Sequence, residues 1–284
     1  MKMAALEFLM CSFHIWDATL SSDSLTDLRY TEKGNKMQQY RKDGYFCEVR
    51  RLMFSDCDYK KNMKLSSILR FTAEIAGADL YEKGISHQHL WDNGMVFLVS
   101  RIAVNINEFP RDKETIEVAT WENSQRGASF NRGFKIRDKD GNVKIDAMSA
   151  WVLVNPQTRN ILRPSAYPYK FNYQKRDVKA KILGKFQMDG AQIAGSRKIS
   201  YSDIDANGHV YNAVYADIAC DFAPEEVFNR EWKAFQINFI AEAKKGDVLK
   251  IHTRLDNERY YAWGMNGDKS SFEFMLELGE RASS

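Results

Sequence analysis

Asp205, Asn207 and His209 stand at alternate positions within "SDIDANGHVYNAVYADIACD", residues 202 to 221, and Glu242 follows in the run "FQINFIAEA". An acid, an amide and a histidine in this pattern hold the parts for water-mediated cleavage of a thioester. A carboxylate serves as base or nucleophile, a histidine polarises or transfers a proton, and an amide donates a hydrogen bond to a developing oxyanion. Alternate residues of an extended segment face one side, so the three side chains converge if the stretch is strand-like up to the helix that follows. Backbone N–H groups at that helix start would further stabilise negative charge. The plainer reading is a polar turn that starts a helix, since Asp and Asn are ordinary residues in that place.

The elements that must position these residues occur twice along the chain. "YFCEVRRLMF" reads as a strand, and "MKLSSILRFTAEIAGADLYEKG" as a helix with Leu65, Leu69, Ala73, Ala76 and Leu80 on one side and Gly84 as its stop. "GMVFLVSRIAVNINEF", "ETIEVATWEN", "ASFNRGFKIRD" and "KIDAMSAWVLVN" follow as strands, with "KDGN" as a hairpin turn. A segment rich in proline and lysine then reads as a linker. Beyond it the order restarts with "GSRKISYSD" as strand, "HVYNAVYADIACDFAPEEVF" as helix, and "WKAFQINFIAEA", "DVLKIHTRLD" and "SSFEFMLEL" as strands.

Matching Ala73 to Ala216 overlays the two helices at an offset of 216 − 73 = 143, and matching Glu114 to Asp247 overlays later strands at 247 − 114 = 133. At these offsets Asn62, Lys64 and Ser66 stand where the second copy has Asp205, Asn207 and His209, and Phe109 stands where it has Glu242. Only the second copy keeps the ionisable set. One long helix packed on a curved antiparallel sheet, repeated in tandem, is an α+β architecture of two hot-dog domains. The expected boundaries are an extension at 1–44, a first domain at 45–160, a linker at 161–195 and a second domain at 196–284.

Composition narrows the function classes. The net charge of +3 in 284 residues gives no footprint for nucleic acid, and no apolar run reaches the length of a membrane span. Four cysteines without CxxC spacing suggest neither a zinc site nor a disulfide framework, and reduced thiols imply the cytoplasm. The start "MKMAALEFLMCSFHIW" is interrupted by Glu7, so no cleaved signal is assigned, and its acids argue against a transit peptide. His87 and His89 have an H-x-H spacing but no evident third ligand, so no metal and no organic cofactor is expected.

With these residues in view, the chain resembles the acyl-ACP thioesterases of plants and bacteria, built as a double hot-dog. The family's D-x-N-x-H-V-x-N stretch is Asp205 to Asn212 here, and its glutamate before a Gly-Asp turn is Glu242 in "FIAEAKKGD". Further matches lie in "LSSILRFTAEIA", "VSRIAVNINEFPRDKETIEVATW" and "SAWVLVNPQTRNILRP". The family's cysteine beside the glutamate is Ala243, so a Cys-His mechanism does not carry over, and Gly208 and Tyr211 also depart from the pattern.

The resemblance implies hydrolysis of fatty acyl thioesters of acyl carrier protein. Glu242 would activate water or attack directly, Asp205 and His209 would orient and polarise, and Asn207 would position the carbonyl. It also implies an acyl tail in the first half, with Leu69, Phe71, Ile75 and Leu80 as candidates for length selection. The carrier is acidic, which makes Arg126, Arg132, Lys135 and Arg137 candidates for docking it. An acyl-CoA thioesterase is the nearest alternative, and a non-catalytic acyl-binding module is the alternative outside enzymes. Monomer and homodimer both remain open.

Overall fold

The computed structural model describes residues 38–281, and within them eleven strands make one antiparallel sheet. The first half runs β1 (Gln38–Lys42), β2 (Tyr45–Arg51), a 3-10 turn at Phe54–Asp56, α1 (Leu65–Glu82), α2 (His87–Asp92), β3 (Val96–Ile106), β4 (Thr115–Arg126), β5 (Ser129–Arg137) and β6 (Val143–Val154). The second runs β7 (Gln192–Lys198), a 3-10 turn at Tyr201–Asp203, α3 (Val214–Asp221), α4 (Glu225–Phe228), β8 (Arg230–Phe239), β9 (Val248–Leu255), β10 (Arg259–Asn266) and β11 (Lys269–Arg281). β1 is a strand within the stretch expected to be a peripheral extension; the expectations for residues 1–37 lie outside the described residues.

The strand order is β1-β2-β4-β5-β6-β3-β8-β11-β10-β9-β7. Read outward from the centre, β3-β6-β5-β4-β2 and β8-β11-β10-β9-β7 are the same connectivity, so the duplication seen in the sequence is a duplication of topology. The seam is the pairing of Arg101 through Asn105 with Asn238 through Ala234.

α1 forms where the apolar spacing places it, burying Leu65, Ile68, Leu69, Phe71, Ile75 and Ala76. It stops at Gly84, whose φ of +78° lets Gly84 N–H reach Tyr81 O at 2.9 Å and Ile85 N–H reach Leu80 O at 2.9 Å. The second helix is shorter than expected. It starts at Val214 rather than at His209, and Pro224 separates it from α4. α1 and α3 pack together on one face of the sheet, and residues from both, with Ile102, Phe134, Ile237 and Phe272, form one continuous core.

The segment between β6 and β7 has no regular structure beyond a 3-10 turn, yet it is tied down along its length. Gln174 N–H extends the ladder to Glu122 O at 2.8 Å, and Arg176 N–H meets Asn123 Oδ1 at 3.0 Å. Ala180 N–H meets Asp146 Oδ1 at 3.0 Å, Leu183 N–H meets Gln236 Oε1 at 2.7 Å, and Asn238 donates to Gly184 O at 3.1 Å and to Glu273 at 2.8 Å. These strand residues alternate with core residues such as Ile237 and Phe274, so the segment covers the opposite face of the sheet. Its composition reads as a linker because its backbone is satisfied by side chains rather than by strands.

Candidate active site

Residues 204–210 form a closed loop, not the extended segment expected. Ile204 bridges Val210, Asp205 N–H donates to His209 O at 2.9 Å, and Gly208 takes φ +79°, a conformation that glycine adopts without a Cβ clash. The Asp205 carboxylate turns into this loop. It accepts Asn207 N–H at 2.8 Å and His209 N–H at 3.4 Å, the geometry of an Asx turn. Asn207 is exposed at the tip, its Nδ2 3.5 Å from Asp205 Oδ2. Alternation along a strand therefore does not bring the three side chains together, and the helix start lies a turn beyond His209.

The structure does bring His209 to Glu242. Val210 N–H donates to Ala243 O at 2.9 Å, which lays the two loops side by side, and His209 Nε2 lies 3.2 Å from Glu242 Oε2. The second loop is held by Asp247, whose carboxylate accepts Lys244 N–H at 2.9 Å and Asn266 Nδ2 at 2.8 Å. Ala243, in the place of the family cysteine, is fully buried and donates its N–H to the Tyr215 hydroxyl at 3.3 Å. Burial pushes the Tyr215 phenol up to about 12, so it keeps its proton at neutral pH.

A third group, one that sequence reasoning did not single out, completes the cluster. The guanidinium of Arg159, from the loop after β6 in the first half, donates to the same Oε2 of Glu242. Oε1 has no partner among the described residues. Nothing in the sequence spacing signals this contact, because the two residues meet only through the β3–β8 seam.

The internal repeat gives a sharper control than the helix overlay did. In the first half Cys57 bridges Met63, Asp58 N–H donates to Asn62 O at 2.8 Å, and Asp58 Oδ1 accepts Lys60 N–H at 2.8 Å and Asn62 N–H at 3.0 Å. Lys61 takes φ +63° where Gly208 takes +79°, and Met63 N–H donates to Pro110 O as Val210 N–H does to Ala243 O. The loops thus correspond at 205 − 58 = 147 rather than 143. The counterpart of Asp205 is Asp58, that of Asn207 is Lys60 and that of His209 is Asn62; Phe109 remains the counterpart of Glu242. Asp205 is therefore shared by both halves as a loop former, and what distinguishes the second half is Asn207, His209 and Glu242.

Of the residues expected to meet the acyl tail, Leu69, Phe71 and Ile75 sit in the main core. Leu80 lines a cavity of about 220 Å³, with Ala76, Leu90, Phe97, Phe130 and Trp151 among its walls. Two buried charges also border it, Glu122 and Arg132. Arg132 is withdrawn from any docking face: its guanidinium holds Asp79 at 2.7 Å and Thr120 Oγ1 at 3.2 Å. Burial pushes the Asp79 carboxyl up, but Arg132 and Lys83 outweigh it and hold the group below the usual carboxylate range. Arg126 is exposed and Lys135 half-buried, while Arg137 pairs with Glu117. His89 contacts the Tyr169 hydroxyl and His87 stacks on Trp91.

Comparison with known proteins gives two family matches, the acyl-ACP thioesterase N-terminal domain over residues 45–165 and the acyl-ACP thioesterase C-terminal domain over residues 188–282. A chloroplastic acyl-(acyl-carrier-protein) hydrolase of Cuphea viscosissima is 25% identical over 193 residues, covering 65% of this chain and 45% of that protein. A chloroplastic dodecanoyl hydrolase of the same kind from Umbellularia californica is 26% identical over 169 residues, 56% of this chain and 44% of that protein. The chain spans about half the length of the curated relatives it matches. In fold it is similar to an acyl-ACP thioesterase from Bacteroides thetaiotaomicron, with TM-score 0.77, 20% identity, and 84% and 98% of the two chains covered. The 12:0-ACP thioesterase from Umbellularia californica gives TM-score 0.72 at 18% identity, with 84% and 99% covered. No described helix is long and apolar enough to cross a membrane.

Proposed function

We propose that this chain, which belongs to the acyl-ACP thioesterase family, hydrolyses the thioester of fatty acyl carrier protein to the free fatty acid and the carrier thiol. The observation that carries this reading is the meeting of His209 and Glu242 at 3.2 Å, in the half whose counterpart loop keeps neither group. Glu242 Oε1 takes a proton from water as the water oxygen attacks the thioester carbonyl. Asn207 at the loop tip donates to the oxyanion that forms, and collapse of the tetrahedral adduct breaks the carbon–sulfur bond. The departing thiolate takes the proton that Glu242 accepted from water, relayed through His209 beside it, which returns both groups to their starting states.

The first half supplies the acyl cavity beside Leu80, and Arg126 and Lys135 offer an acidic carrier its docking charge. Thiol release is to be measured with carrier-linked and CoA-linked chains of graded length, on the parent protein and on Glu242→Gln. The parent should prefer the carrier-linked series and the variant should lose about 10²–10⁴-fold in kcat. Equal rates on both leaving groups would favour an acyl-CoA thioesterase, and full activity of Glu242→Gln would remove Glu242 from the chemistry. A single turnover in ¹⁸O-water should label the fatty acid; unlabelled product would mean that Glu242 attacks directly.

A further inference from the structure

The geometry around Glu242 points to Arg159 as a positioning residue for this carboxylate, contributed by the first half to a site whose other groups all come from the second. We propose that Arg159 and His209, from two different loops, both hold Oε2 and so leave Oε1 aimed at water and substrate. This rests on the reading of Glu242 as the base.

Arg159 is presented on a rigid turn. Asn155 Oδ1 accepts Gln157 N–H at 3.0 Å and Thr158 N–H at 2.9 Å, Arg159 N–H returns to Asn155 O at 2.8 Å, and Ile161 bridges back to Val154 at the end of β6. Arg159 itself takes φ +63°, a conformation uncommon for a residue with a Cβ and one that the surrounding turn enforces. The loop therefore spends its hydrogen bonds on fixing the backbone at the one residue whose side chain crosses to the second half. A glutamate left with 30% of its side chain exposed would otherwise sample several rotamers. An exposed ion pair adds little to stability, so the effect expected here is on geometry and charge.

The test compares the parent protein with Arg159→Ala, Arg159→Lys and Glu242→Gln, reading kcat and KM for thioester hydrolysis. Arg159→Ala should lower kcat by about 10²-fold, the loss expected of a misplaced catalytic group, with KM changed by less than about threefold. Arg159→Lys keeps the charge but not the fork and should fall between. Added guanidinium ion should restore part of the activity of Arg159→Ala, while unchanged thermal midpoints confirm intact folds.

If Arg159→Ala keeps its kcat and gains nothing from guanidinium ion while Glu242→Gln is inactive, the positioning role is wrong and the base stands. If the parent cleaves no thioester, or Glu242→Gln stays active, the base falls and the positioning role with it.

Discussion

Asp205, a residue type that fits catalysis, is also the acceptor that closes its own loop. Its carboxylate spends its hydrogen bonds on Asn207 N–H and His209 N–H, as Asp58 does on Lys60 N–H and Asn62 N–H. Replacing either by Ala should destabilise the protein by about 1 kcal/mol, the usual effect of losing such a side-chain acceptor. Asp205→Ala should also lower kcat because the loop that carries His209 relaxes, whereas Asp58→Ala should leave kcat unchanged. Chemical denaturation and steady-state rates on the two variants check this; an equal loss of activity in both would remove the distinction between the loops.

The meeting of His209 and Glu242 was legible in the sequence because the family motif marks both residues. The loop that holds Asp205 was not, since the overlay of Ala73 on Ala216 runs out of step with the loops: Ala73 lies 73 − 63 = 10 residues after the Met63 bridge and Ala216 lies 216 − 210 = 6 after the Val210 bridge. Arg159 was invisible for a different reason: its contact is made by the seam, and no local pattern encodes a seam.

At the scale of elements, the helix α1 and the strand β5 share a buried ion pair that the sequence presents as part of a basic surface stripe. Alternation explains the misreading. Phe130, Arg132, Phe134 and Ile136 occupy one face of β5 and all are buried, so Arg132 enters the interior in step with its apolar neighbours. There it neutralises Asp79 near the end of α1, helped by Lys83 and Arg41.

Because the folded Asp79 carboxyl titrates below its unfolded range, its stabilisation is complete above the ordinary carboxylate pKa and is lost as pH falls through the lower folded value. Arg132→Met should remove about 3 kcal/mol at neutral pH, since it leaves a buried charge with weaker partners. It should also move acid unfolding, followed by tryptophan fluorescence, to higher pH. An acid transition unmoved by this variant would show that Asp79 is held by other means. The α1 boundaries, by contrast, followed from local signals alone: apolar spacing started the helix, and a glycine with positive φ ended it.

At the scale of the molecule, the irregular segment between the halves acts as a cover on the sheet. Its backbone depends on Gln236, Asn238 and Glu273, which project from β8 and β11 away from the core. Asn238→Leu would remove the donor to Gly184 O and one of the two donors to Glu273 Oε2, Phe186 N–H remaining, at a cost of about 2 kcal/mol for the charged acceptor. Limited proteolysis should then cut between residues 180 and 190 faster than in the parent protein. Equal cutting rates would mean that the cover is held chiefly by its apolar contacts, such as Phe186 on Tyr261.

The first-half loop has a consequence that reaches beyond this site. In a two-fold dimer of identical chains, any substitution appears at both copies of a position, so neither copy can take up a second trade. Here Lys60, the counterpart of Asn207, donates to the carbonyl of Phe228 at the end of α4, and Phe109, the counterpart of Glu242, packs its ring against Trp232. One copy of the loop has become a brace, and covalent fusion is what allows brace and workshop to diverge under a single shared architecture.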